Sequence, residues 1–247
     1  MVLLLVRRWT VRLLKVNSET MRLFFKIFSG LLMVLLVVPL VDCAKCLVAK
    51  WQGDDTGERE GRLTLNPLEH LDPLGALLII LIGFGWSKPL AINPARFKDL
   101  KRGIVLVSLT GPVTHFLAAI VCNAINSVMY LHPGLFNSNN GRLSMGVCVM
   151  TVLAMLSQIN VCLGVISLLP LPPLDGFNIL HQFAGPKFKS WYYSNYAIIN
   201  RASTIILFAL FFCGRITNGL LDPLGWLINL VSYLLSFATA WIPHVFG

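Results

Sequence analysis

The sequence predicts an all-α polytopic membrane protein: five or six transmembrane helices with a small strand-bearing loop insertion. Three observations carry that prediction. The 247 residues are 56% hydrophobic and only 13% charged, about half the charged fraction of ordinary soluble domains. The mean hydropathy is positive. Apolar runs long enough to cross a bilayer recur at Leu23 to Val48, Ile104 to Asn126, Met145 to Leu168, Ala197 to Cys213 and Leu220 to Trp241. A shorter run, Leu74 to Trp86, suits either a tilted span or a re-entrant segment. No internal repeat or low-complexity linker divides the chain. A single domain is therefore expected over 23–241, between a basic N-terminal segment (1–22) and a short tail (242–247).

Taken in order, the first element is basic. Arg7, Arg8, Arg12, Lys15, Arg22 and Lys26 gather around the start of the first span, and Lys88, Arg96, Lys98, Lys101 and Arg102 precede the next long one. Cations flanking spans set orientation and meet anionic headgroups. The net charge of +9 therefore points to the lipid bilayer as a partner and not to nucleic acid. Val2 to Val6 is too short for a signal-peptide core, and the first long run lacks a small-residue cleavage site, so it is expected to remain as a helix. Six cysteines are scattered, four of them (Cys122, Cys148, Cys162, Cys213) within expected spans, and form no legible disulfide framework. Cys43 and Cys46 make a C-x-x-C pair, which in an apolar helix reads as packing before metal or redox chemistry.

The loops carry more. Gly53 to Gly61 holds Asp54, Asp55, Glu58 and Glu60 and reads as a solvated acidic loop. Arg62 to Leu65 has the pattern of a short strand ended by an Asn66-Pro67 turn. Asp72-Pro73 suits a helix start, with the aspartate capping and the proline in the first turn. Trp86 suits headgroup depth. Leu169-Pro170-Leu171-Pro172-Pro173-Leu174-Asp175-Gly176 then breaks the chain after a full-length apolar run. Its prolines remove backbone donors, and irregular backbone at that depth survives only in protein or beside a wet cavity. A carboxylate there is a functional-site hypothesis by default.

Gly53-Asp54, the Gly61-to-Gly75 run, Gly83 to Phe97, Gly111-Pro112 and Leu169 to Gly176 occur in one order. This series resembles the site-2 protease family (peptidase family M50), the intramembrane zinc metalloproteases, over about residues 30 to 225. The resemblance implies a site-2 protease-like bundle in which two histidines of H-E-x-x-H and the aspartate of L-D-G hold zinc. The glutamate then acts as general base in cleaving membrane-embedded peptide bonds. Counting back from Gly53 sets Val41 and Lys45 at the histidine positions and Asp42 at the glutamate; Asp175 is the retained ligand. No histidine in the chain is followed by glutamate, and no two lie within a helical turn. His115 and Ser167 stand where the family has asparagines thought to contact substrate.

The expected function is a catalytically inactive homologue that binds transmembrane segments of other proteins, with no zinc bound. The alternative is an active intramembrane zinc metalloendopeptidase with a rearranged set, in which Asp42, His115 and Asp175 converge near Cys43 or Cys46. A transport or structural role has only the lone Asp175 in its favour. Lys45 is expected to pair with Asp175, because a buried carboxylate needs a partner. His70 is expected in an interfacial structural role and His115 in an interhelical hydrogen bond. The expected location is the inner membrane of a prokaryote.

Overall fold

The computed structural model describes residues 19–131, 144–217 and 219–242. The expectations for Arg7, Arg8, Arg12, Lys15 and residues 243–247 of the tail lie outside these.

The first apolar run forms one helix, α1 (Glu19–Gln52). Pro39 has no N–H to donate to the carbonyl four residues back, and the helix widens into a π turn over Met33–Val37 immediately before it. Beyond that turn α1 carries Val41, Asp42 and Lys45, and it ends at Gly53, whose φ of +111° suits a residue without a Cβ. The short helices α2 (Thr56–Arg59) and α3 (Pro67–His70) follow. Then come α4 (Pro73–Ile82), the long α5 (Leu100–Tyr130) and α6 (Met145–Ser167). The chain ends with α7 (Asp175–Phe183), α8 (Pro186–Ser194), α9 (Tyr196–Ile216) and α10 (Pro223–Ala240).

Helices α1, α5, α6 and α9 are long and apolar enough to cross a membrane, while α4 and α10 are shorter apolar helices. The fold is thus all-α and membrane-embedded, as the composition requires. Helix α5 is the central post, packed against α6, α1, α7 and α10. Its contact with α6 is close because Gly164 meets the Phe116 ring, where a Cβ would approach to 2.6 Å. Met33, Val37, Val41, Ile79, Ala119, Leu156 and Ile166 belong to one core cluster between these helices. Helix α9 packs on its edge through Leu207 and Phe211 and turns Ile198, Ile205 and Ile206 outward.

Two loop expectations change. Among the described residues there is no strand, so Arg62 to Leu65 is a bend rather than a strand. A strand needs a partner to complete its ladder, whereas here the buried Arg62 side chain turns inward and pins the segment. The acidic loop is also less solvated than its composition suggests. Asp54 is 1% exposed and accepts from Thr56 N, Thr56 Oγ1 and Asn93 N at 3.1, 2.5 and 2.7 Å.

The short run Leu74 to Trp86 turns back on itself. Helix α4, only ten residues long, ends at Gly83, and the chain returns along it until Lys88 N donates to His70 O at 2.9 Å. The return is tight: a Cβ on Gly75 would sit 2.1 Å from Trp86 O, and one on Gly85 2.2 Å from Gly75 O. The basic stretch that follows lies beside the end of α1, with Lys98 N donating to Gln52 O at 2.8 Å.

Gly75→Ala is expected to force the hairpin apart and destabilise the protein by about 2–3 kcal/mol in a detergent melt. Gly185→Ala, where a Cβ meets nothing within 4 Å, should stay within about 0.5 kcal/mol of the parent. Equal melts for the two variants would contradict this close approach.

Candidate intramembrane site

Helices α1, α4, α5, α6 and α9, the returning loop after α4 and the turn joining α6 to α7 converge on one cavity of about 440 Å³. Val41, Asp42, Lys45, His115, Ser167 and Asp175 all line it. Every site position read from the sequence is therefore brought together, although Asp175 lies 130 residues from Lys45. The remaining wall is mostly apolar, including Ile79, Phe84, Leu163, Ile166, Leu207 and Phe208.

Asp175 is the first residue of α7, so its carboxylate faces the positive end of that helix. Gly176 fixes its depth, because a Cβ there would lie 2.1 Å from Leu168 O at the end of α6. From across the cavity Lys45 Nζ reaches Asp175 Oδ2 at 2.6 Å, with side chains only 20% and 18% exposed. Helix α5 must be bare at the same level. A Cβ on Gly111 would meet Lys45 Cε at 2.4 Å and Asp175 Oδ2 at 3.1 Å. The glycine of Gly111-Pro112 thus makes room for an ammonium–carboxylate pair.

Asp42, one turn earlier on α1, belongs to a separate network. Its Oδ2 accepts from Arg62 Nη2 at 3.3 Å and its Oδ1 from Ser87 Oγ at 3.2 Å. Arg62 also donates to Lys88 O at 2.8 Å and Pro89 O at 3.4 Å, which ties the bend to the returning loop. His70, fully buried, donates from Nε2 to Thr64 O at 2.9 Å and brings Nδ1 to 3.4 Å from Asp42 Oδ2. That nitrogen and Arg62 Nε are buried without a hydrogen-bond partner. The structural role expected of His70 is what its contacts describe, with the refinement that it is buried.

His115 donates from Nδ1 to Asn160 Oδ1 at 3.0 Å, and Asn160 Nδ2 donates to Leu156 O at 2.9 Å. This is the interhelical bond expected of it, between α5 and α6. Ser167 Oγ donates to Gly164 O at 2.9 Å. Cys46 points away from the cavity, its Sγ 2.8 Å from where a Cβ on Gly57 would lie, and Cys43 is not among the lining residues.

Zinc requires three protein ligands supplying nitrogen, sulfur or oxygen, with an open fourth position. Val41 has no donor atom, and an ammonium offers no lone pair. The Asp175 carboxylate is engaged by that ammonium, and both Asp42 oxygens are engaged by the Arg62–Ser87 network. Among the described residues, no group of three or more His, Cys, Asp or Glu side chains is placed to hold a metal. The donor set does not fit zinc.

Sequence reasoning missed Arg62, Ser87 and Asn160. The Arg62 signal was available: a carboxylate expected at membrane depth at position 42 needed a cation of its own once Lys45 had been given to Asp175.

No family model and no solved structure matches the chain. A curated relative does. Over 165 residues, 63% of this chain and 71% of the relative, the chain is 36% identical to a protein of Bacillus subtilis (strain 168) described as "Putative zinc metalloprotease YwhC".

Lys45→Ala leaves the part-buried Asp175 without its cation and is expected to destabilise the protein by about 1–2 kcal/mol, between the cost for an exposed pair and that for a fully buried one. Adding Asp175→Ala should recover about half or more of that loss. Thermal melts of the two single variants and the double variant measure the coupling, and additive losses would contradict the pair.

Proposed function

The chain belongs to the zinc metalloprotease family that includes YwhC, and we propose that within it this copy is a site-2 protease homologue that holds membrane segments without cutting them. Its clients would be transmembrane segments of other proteins, received in the apolar cavity between α1, α5 and the returning loop. The ordered motifs from Gly53 to Gly176 support the site-2 assignment. A Bacillus relative supports a prokaryotic cell membrane as the location.

The observation that carries the loss of catalysis is the Lys45–Asp175 contact. In an active member zinc polarises the scissile carbonyl and supplies a water acidic enough to attack it. The residues here perform other tasks. Lys45 neutralises the one retained ligand, Val41 turns a ligand position into apolar wall, and Asp42 is consumed in fixing the returning loop. Asp175 Oδ2 and both Asp42 oxygens already accept hydrogen bonds from the protein's own cations and hydroxyl. What persists is a cavity that is apolar on most sides and offers one compact ion pair to a polar group on an entering helix.

A photoreactive residue at Phe208, on the cavity wall, is expected to crosslink to intact membrane segments co-expressed with this chain. No cleaved product should accumulate. Cleavage products that disappear in the Asp175→Ala variant would overturn the proposal in favour of a rearranged protease.

A further inference from the structure

A second cavity of about 330 Å³ opens between the start of α5, α7 and the α8–α9 junction, and Pro173 lines both it and the first cavity. Its chemistry differs. Rings of Phe97, Phe177, Tyr192, Tyr193 and Tyr196 form much of the wall, and Phe177 and Tyr192 pack at 4.8 Å between centroids. The polar lining consists of Ser108, Asn178, His181, Gln182 and the tyrosine hydroxyls, and no Asp, Glu, Lys or Arg lines the cavity.

These polar groups are unclaimed. Ser108 and His181 are 5% and 8% exposed, yet no side-chain hydrogen bond within the described residues engages Ser108, Asn178 or Gln182, and His181 Nε2 is buried without a partner. Burial, reinforced by the nearby Lys189 ammonium, holds the His181 imidazole below its usual pKa, so the wall stays uncharged at neutral pH. A buried ring nitrogen without a partner, as at His181, is uncommon and costly, while the half-buried Asn178 and Gln182 amides face the cavity with their hydrogen-bonding capacity open. Side-chain amides can both donate and accept, as a peptide backbone requires, and aromatic walls favour another ring at their edges and faces.

We propose that this second cavity binds an uncharged, aromatic-bearing stretch of polypeptide that flanks a client's membrane segment. The inference rests on the client-binding reading of the first cavity. It adds an exit path: chain leaving that cavity crosses Pro173, hydrogen-bonds Asn178 and Gln182 through its backbone, and sets a ring among Phe177, Tyr192 and Tyr193.

The full chain in lipid nanodiscs, titrated with N-acetyl-Gly-Tyr-Gly-amide, tests this without any client. Saturable binding is expected. Affinity should fall about tenfold, the equivalent of one buried hydrogen bond, in the Asn178→Leu/Gln182→Leu variant at an unchanged melting temperature. The same peptide with Ala or Lys for Tyr should bind at least as weakly. If the double variant does not fold, Gln182→Leu alone serves the comparison. Absence of saturable binding to the parent protein, or equal binding by parent and variant, would overturn the second site. Peptide binding that persists where the Phe208 crosslink fails would overturn client docking in the first cavity and leave the peptide site standing.

Discussion

A carboxylate fixed at membrane depth must be neutralised, and in this protein the charge that neutralises Asp175 comes from the helix at the opposite wall. Charges drawn partly out of water lose solvation, and Lys45 and Asp175 offset that loss for one another. Their 2.6 Å contact joins α1 to the start of α7 and so spans most of the fold. Much of the local design serves that contact. Gly111 clears α5 from its path, and Gly176 lets the α6–α7 turn close until the carboxylate is in reach. The Pro39-induced π turn changes the helical register of α1 just before Lys45.

A second carboxylate one turn away is satisfied by different means, and this separates the two halves of the site. Asp42 draws Arg62 and Ser87 from segments that otherwise have little to hold them, so the bend after α2 and the return from α4 become walls of the cavity. A general base must direct an oxygen at a water; both Asp42 oxygens already accept hydrogen bonds from the loop segments. Both carboxylates of the cavity are therefore paired with cations of the protein itself.

The spans were legible because hydropathy is a property of the chain itself. Leu23 to Val48 and Ile104 to Asn126 fall within observed helices, Met145 to Leu168 overruns α6 by its last residue, and Ala197 to Cys213 lies inside α9. The pairing of Lys45 with Asp175 was legible as well, since two opposite charges at membrane depth have few other partners. Less was visible in the loops. Whether Leu74 to Trp86 crosses or turns back depends on the Gly75–Gly85 backbone contact, and single glycines in an apolar run announce no such partner. Arg62 to Leu65 alternates like a strand, but alternation does not supply a neighbouring strand, and a buried guanidinium overrode the local pattern. The two cavities meeting at Pro173 are a tertiary property that no spacing in the sequence encodes.

The central claim is that an ammonium has taken the place of a metal at Asp175. Zinc content measures this most directly, by elemental analysis of full-length protein purified without chelators and exchanged into metal-free buffer. Well below about 0.1 equivalents of zinc per chain are expected, unchanged in the Asp175→Ala variant, because a site lacking three donors cannot compete for the ion. Zinc close to one equivalent, lost when Asp175 is replaced, would contradict it.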